Sequence, residues 1–142
     1  METLTEVYND LMDKGVYLFS GSYNLPDDCD AATVKLNDEF GVFLDIDKIR
    51  TLSQEKEAVS HEWAHITTNA TYHLDAPWDV KRRAEVKATR AQIRKVLPWN
   101  ELRAAVHNGH GTTFELSEMF NLSEDFIRTA IDYYTGPCGY QF

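Results

Sequence analysis

The chain has 142 residues, of which 43% are hydrophobic, so it is long enough for one compact domain, residues 1–142, without disulfide or metal cross-links. Its 14 Lys and Arg against 23 Asp and Glu give a formal charge of −9 at pH 7, which argues against a general binder of nucleic-acid backbones. No apolar stretch approaches the roughly 18 residues of a membrane span, and METLTE at the start does not resemble a signal peptide, so we expect a cytoplasmic protein with no membrane partner.

The first half of the chain predicts one helix and a small antiparallel sheet. Apolar residues recur at helical spacing in residues 2–13, and Gly15 can end that helix. A run rich in aromatic and β-branched residues follows, VYLFSGSY (16–23), and after a turn-forming loop come two apolar runs, ATVKLND (32–38) and FGVFLDID (40–47). The two apolar runs are predicted to form a hairpin around Asn37, Asp38 and Glu39.

The β pattern ends near residue 47, and a long helix is predicted next. Thr51 and Gln54 have the spacing of a capping box for a helix that runs to about Thr68. This helix carries SHEWAHI, residues 60–66, so any chemistry of that motif belongs to a helix.

The remainder of the chain is predicted to be helical after a loop. Residues 68–78 lose periodicity, and Asp79 is a candidate cap for a helix that ends at Leu97, ahead of Pro98. Three shorter helices are predicted at 99–108, 113–120 and 123–135, of which the second and third begin with the capping signals Thr112 and Ser123.

The last two predicted helices have the layout of a helix-turn-helix, with Leu122 in the turn. The second of them carries Glu124, Asp125 and Asp132 against Arg128, whereas a reader of DNA needs cations near the phosphates. We therefore expect a structural role for this pair of helices and no direct contact with nucleic acid.

The two cysteines, Cys29 and Cys138, are far apart in the sequence, and neither belongs to a CxxC pair. In a reducing cytosol, cysteines of this kind are more often free thiols than a disulfide bridge or a zinc knuckle. We expect both thiols to be free.

Residues 61–65 read HEWAH, which matches the HExxH pattern. Residues four apart on a helix share a face, so His61 and His65 can offer imidazole nitrogens to one ion while Glu62 faces the same site. Zn²⁺ suits these ligands, and Glu62 can take a proton from the water that the ion activates. The alternative is a pair of surface histidines on one helix, and a third ligand is needed to decide.

Several downstream side chains are candidates for the third ligand, namely His73, Asp75, Asp79, Glu85, His107 and His110. In the predicted helix after residue 79, Glu85 shares a face with Ala88 and Thr89, small residues that would allow close packing against the HExxH helix. A carboxylate that faces inward among small residues is costly unless it meets a cation. This favours Glu85, and the chain lacks the glycine and third histidine of the longer HExxHxxGxxH pattern.

The stretch RAEVKATRAQIRKVLP (83–98), following SHEWAH at this spacing, resembles the ImmA/IrrE family of metallopeptidases, in which HExxH is followed by a Glu-x-x-Ala segment that ends in Leu-x-Pro or Leu-Pro. The resemblance extends to residues 99–134, which are similar to the C-terminal region of short members encoded by phages and mobile elements. It implies an α+β fold with a small N-terminal antiparallel sheet, a zincin-like helical core and C-terminal helices.

By this resemblance His61, His65 and Glu85 match the ligands of a zinc ion, and Glu62 matches the catalytic base. Thr89 stands where many members have an asparagine or aspartate that could orient a histidine ligand. The resemblance implies a zinc endopeptidase that cleaves a helix-turn-helix transcriptional repressor of a prophage or mobile element. The alternative is a regulatory binding module that sequesters a repressor or another protein without hydrolysis, and the intact glutamate base favours the peptidase.

Peptide hydrolysis also needs a donor for the oxyanion that develops on the scissile carbonyl. The side chains outside the motif that can supply it are Tyr72, His73, His107 and His110. The sequence does not choose among them.

Overall fold

The structure is a computed structural model that describes residues 2–73 and 75–142. Within these ranges the elements are α1 (Leu4–Asp13), β1 (Tyr17–Gly21), β2 (Ala31–Leu36), β3 (Glu39–Asp45), α2 (Leu52–Thr67), α3 (Trp78–Val96), α4 (Trp99–His107), α5 (Thr113–Phe120) and α6 (Glu124–Thr135). The predicted α+β class is confirmed. None of the described helices is both long enough and apolar enough to cross a membrane.

The sheet is mixed, which corrects the prediction of an antiparallel sheet. Its strand order is β1-β3-β2, with β2 antiparallel to β3 in the predicted hairpin and β1 parallel to β3. Asn37 takes a positive φ of 57° in the turn, a conformation that asparagine tolerates well.

The physical reason for this strand order lies in the burial of the strands. The most apolar run, FGVFLD, gains most from a central position, and its Val42 and Leu44 are buried. β2 exposes Val34 and Leu36 and suits an edge. The chain after β1 therefore passes to the far edge of the sheet and returns through the centre, which leaves β1 parallel to β3.

The main core is one cluster that extends from one face of the sheet through the six described helices, and its part nearest the sheet involves the first two helices. Val42 and Leu44 of β3 are buried in one cluster with Val7 and Leu11 of α1 and Val59 of α2. Full burial of each such side chain is worth about 1.5–3 kcal/mol. This packing fixes α2, the helix that carries the HExxH motif, against the sheet.

The starts of the helices are mostly as predicted. Capping boxes begin α2 and α5. The predicted cap at Asp79 is wrong, because α3 begins at Trp78, after Pro77, and no side chain caps it. The ring of Pro77 restrains the backbone ahead of the helix, and Asp79 lies in the first turn, where its negative charge favours the helix dipole.

α2 and α3 pack through small side chains, as the sequence predicted. Ala64 of α2 and Ala88 and Ala91 of α3 form a buried cluster, with the ring of Trp63 packed against it. Alanine at these positions allows the two helix backbones to approach closely. Glu85, one turn before Ala88, is thereby brought to the HExxH face of α2.

The two helices with a helix-turn-helix layout are anchored to α2 through the turn that joins them. Lys56 is buried, and its Nζ donates to the carbonyl of Phe120 at 2.7 Å. Its neighbour Glu57 accepts from the backbone N–H of Ser123 at 2.5 Å. Burial lowers the pKa of Lys56, although nearby carboxylates, Glu101 foremost, favour its charged form. These bonds tie α5 and α6 to the helix that carries the candidate site.

Candidate metal centre and active-site cleft

His61, His65 and Glu85 converge on one point between α2 and α3. The Nε2 of His61 is 2.9 Å from Glu85 Oε2, and the Nε2 of His65 is 3.1 Å from Glu85 Oε1. The two Nε2 atoms are 3.0 Å apart, and the ligand atoms of all three residues lie within 4.8 Å of one another. The other candidate ligands lie outside this group, and they are His73, Asp75, Asp79, His107 and His110.

Each histidine is held at its second ring nitrogen by an oxygen acceptor. Nδ1 of His65 is 2.7 Å from the carbonyl oxygen of Ala70, and Nδ1 of His61 is 3.3 Å from Oε1 of Gln92. A carbonyl oxygen only accepts, so Nδ1 carries the proton and donates it. In the neutral rings Nε2 therefore carries the lone pair on the side of Glu85, and metal-binding histidines commonly donate their other ring N–H to an oxygen acceptor in this way.

The amide of Gln92 is oriented by two further hydrogen bonds. Its Nε2 donates to the carbonyl of Glu57 and to Oγ of Ser60, both at 2.8 Å. Because the carbonyl of Glu57 cannot donate, the nitrogen must face it, and Oε1 is left facing His61. Gln92 was not among the residues singled out from the sequence, where Thr89 was considered for the position that orients a histidine.

The acceptor for His65 comes from the way in which α2 ends. Asn69 adopts a left-handed φ of 52°, and the N–H of Ala70 bonds back to the carbonyl of His65 at 3.0 Å. This is a Schellman turn with asparagine in the position usually taken by glycine. The turn folds the carbonyl of Ala70 back over the last turn of the helix, where it meets His65.

The site favours a positive charge at its centre. The pKa of Glu85 lies well below its ordinary value of 4.5: burial alone would raise it, but the hydrogen bonds that His61 and His65 donate when Nε2 is protonated, together with the one from Tyr72, outweigh that effect. Burial opposes protonation of His65, yet hydrogen bonds to Glu85 and to the carbonyl of Ala70 raise its pKa above 6.5. Three acceptor atoms this close together need either a proton or a cation between them.

We expect the stability of the metal-free protein to depend on pH through this pair. The raised pKa of His65 contributes stability that is present below 6.5 and is lost as the pH rises through its folded-state value. The lowered pKa of Glu85 contributes stability that is present above 4.5 and is lost as the pH falls. Thermal unfolding with a chelator present should give the highest melting temperature between these values. Glu85→Gln should flatten the profile, and an unchanged profile in that variant would contradict the assignment.

The donor set fits zinc. Two imidazole nitrogens and one carboxylate oxygen are the protein ligands of many catalytic zinc sites, which keep one position open for water or substrate. The side chain of His65 is 8% exposed, whereas those of His61 and Glu85 are 28% and 39% exposed. His65 is therefore buried in the interior, whereas His61 and Glu85 are accessible from the cleft.

Glu62 lies beside the histidines and is held by the sheet. It is 7% exposed, and its Oε2 accepts a short hydrogen bond from Oγ1 of Thr33 on β2. Glu62 was predicted at the site from its spacing, whereas Thr33 was not, because nothing in the local sequence pattern shows which strand faces the helix.

Tyr72 is the one member of the four proposed oxyanion donors that lines the cleft formed by the described residues. Its hydroxyl donates to Oε1 of Glu85 at 2.7 Å. Burial and the carboxylate of Glu85 raise the pKa of Tyr72, so the hydroxyl stays protonated and remains a donor. His73, His107 and His110 are exposed and lie outside the cleft.

The three ligands and Glu62 open onto a cleft of about 670 Å³. Ala31 to Thr33 of β2 form part of its wall, and Asp28, Asp30 and Glu57 lie along it. The described lining includes no lysine or arginine, so the cleft is acidic. The free thiol of Cys29 also lines it, and burial followed by the charge of Asp28 raises the pKa of that thiol.

No protein-family model, curated protein or solved structure matches this chain.

We expect Gln92→Leu to lower zinc affinity by about 10- to 100-fold, because His61 loses the acceptor that holds its tautomer and ring orientation. Isothermal titration with zinc at neutral pH measures the change. Thr89→Ala on the same helix is the matched control and should bind zinc as the wild type does. Equal affinities of Gln92→Leu and the wild type would show that this amide does not support the site.

Proposed function

We propose that this protein is a zinc-dependent endopeptidase. The observation that carries the proposal is the convergence of His61, His65 and Glu85, with both Nε2 lone pairs directed at one point beside the buried carboxylate of Glu62. Zn²⁺ held by these three side chains would supply Lewis acidity and lower the pKa of water towards about 7.

The residues around the ligands would transfer the proton, position the base and stabilise the oxyanion. The carboxylate of Glu62 accepts a proton from the attacking water and returns it to the nitrogen of the leaving amine. Thr33 keeps that carboxylate in place by donating to Oε2. The protonated hydroxyl of Tyr72 is positioned to donate to the oxyanion of the scissile carbonyl once substrate displaces it from Glu85.

The cleft suits an extended peptide. β2 is an edge strand whose described pairing is with β3 only, and its residues Ala31 to Thr33 line the cleft. A peptide that adds to this edge would satisfy backbone groups of β2 and place its carbonyls near Glu62. The acidic side chains along the cleft favour basic residues next to the scissile bond.

The substrate proposed is a helix-turn-helix transcriptional repressor of a prophage or mobile element. The proposal of this class comes from the resemblance of the sequence to the ImmA/IrrE family. The charge of the protein supports it, because DNA-binding domains carry basic surfaces that complement an acidic cleft on a chain of net charge −9.

The direct test is to incubate the zinc-loaded protein with a helix-turn-helix repressor encoded beside its gene and to follow the products by mass spectrometry. We expect cleavage at one or a few bonds, abolished by a chelator and restored by zinc. If the repressor binds the protein but is not cleaved, the peptidase proposal is contradicted and the alternative, a module that sequesters the repressor, is supported.

Tyr72→Phe should lower kcat by about 10²–10³-fold with little change in KM, because it removes a donor that acts on the oxyanion. Steady-state kinetics on a fluorogenic peptide cut from the mapped cleavage site measures both constants. Tyr17→Phe, on the exposed face of β1, is the matched control. Wild-type kcat in Tyr72→Phe would remove Tyr72 from the mechanism.

A further inference from the structure

α3 exposes a row of cations on the side that faces away from Glu85. Its members are Arg82, Arg83, Lys87, Arg90 and Arg94, and all are exposed. At about 100° per residue Arg83, Lys87, Arg90 and Arg94 fall within an arc of about 60° opposite Glu85 and Gln92, and Arg82 lies to one side of that arc. We call these five residues the basic face of α3. The net charge of the chain did not predict it, because the acidic residues elsewhere outnumber these cations.

The basic face is largely free of compensating carboxylates. The described contacts include one acid, Asp79, whose Oδ2 lies 3.4 Å from Nη2 of Arg83, with both side chains more than two-thirds exposed. Such an exposed pair is weak and easily exchanged for another partner. The positive charges of the basic face thus remain available to an external anion.

Aromatic rings hold three of the guanidinium groups in place. Arg90 and Arg94 lie over the ring of Tyr133 at 5.4 and 5.9 Å, and Nη1 of Arg94 contacts the hydroxyl of Tyr133 at 2.5 Å. Arg82 lies over Trp78 at 5.9 Å, and the indole of Trp78 is itself 74% exposed. Stacked arginines lose less conformational freedom when they bind carboxylates, which favours recognition.

The same residues form a shallow groove of about 330 Å³, with Val86 among its lining side chains. The groove therefore combines cations with an apolar contact. A peptide segment can offer both carboxylates and an apolar side chain, whereas a phosphate backbone offers only charge.

We propose that the basic face of α3 docks an acidic segment of a partner protein. The net charge of −9, less these five positive charges, leaves −14 for the rest of the molecule. A long polyanion such as DNA would be repelled by that remainder, whereas a short acidic segment can engage the basic face alone. This face lies away from Glu85, so docking there does not require the proposed peptidase activity.

The probe for this surface is a fluorescein-labelled glutamate-rich peptide with one central leucine, titrated with the full chain at low salt and followed by anisotropy. We expect the combined Arg83→Glu, Lys87→Glu and Arg90→Glu substitutions to weaken binding by about tenfold or more. The matched control reverses three exposed cations elsewhere, Lys14, Lys35 and Arg103, with the same change in net charge, and should bind about as the wild type does.

Two further variants separate the loss of charge from misfolding, and this surface from the zinc site. Combining Arg83→Lys and Lys87→Arg keeps the charge and leaves the stacked Arg82, Arg90 and Arg94 in place, so it should retain most of the binding, which separates lost charge from misfolding. Glu85→Gln should bind the peptide normally, so failure of the zinc site and failure of this surface are distinguishable. Equal weakening by both triple reversals would overturn the proposal, as would tighter binding of a single-stranded oligonucleotide of the same charge as the peptide.

Discussion

Glu62→Gln should lose hydrolysis of the repressor by at least about 10²–10⁴-fold while retaining zinc. The amide keeps the size of the side chain and can still accept from Thr33, but it cannot take a proton from water. The rate of cleavage measures the loss of hydrolysis, and the zinc content of the same preparation measures the retention of zinc.

An exposed glutamate on α5 offers a matched control for this substitution. Glu118→Gln makes the same chemical change far from the cleft and should cleave at the wild-type rate. Repression in cells gives an independent readout. Undiminished derepression by Glu62→Gln would contradict the peptidase and support a module that sequesters the repressor.

The second large effect concerns zinc and stability. Zinc at 100 times its dissociation constant should stabilise the wild type by about 2.7 kcal/mol, which appears as a raised melting temperature. His61→Ala, His65→Ala and Glu85→Gln should each lose most of this shift, because the site then has too few protein ligands. Thermal unfolding with and without zinc measures it.

The controls for the ligand set are His73→Ala and His110→Ala. Both histidines are exposed and lie outside the cluster of ligands, so the zinc-induced shift should stay near that of the wild type. A shift abolished by His73→Ala and preserved in Glu85→Gln would transfer the third ligand to the loop after α2. That outcome would also remove the strongest residue-level support for the family resemblance.

The helices of this protein were predictable because their signals are local. Capping boxes such as Thr51 with Gln54 place a helix start within a few residues of chain. The placement of Glu85 beside α2 was also predictable, since helical spacing puts it on the face of small residues that includes Ala88, and close packing follows from their size.

The features that the sequence did not predict depend on contacts between distant segments. Strand order depends on which strand is most buried. The sequence of an apolar run such as 40–47 does not indicate which strands pair with it. Thr33 meets Glu62 only because β2 lies over α2, and Gln92 meets His61 only because α3 packs at one particular register. The carbonyl of Ala70 has no signature in the side-chain sequence at all.

The central claim is that His61, His65 and Glu85 bind one zinc ion. Anomalous diffraction at the zinc absorption edge, from crystals of the protein grown with zinc, tests it most directly. We predict one strong anomalous peak in contact with Nε2 of His61, Nε2 of His65 and the carboxylate of Glu85. A peak at other ligands, with these three side chains still bonded to one another as they are here, would contradict the account.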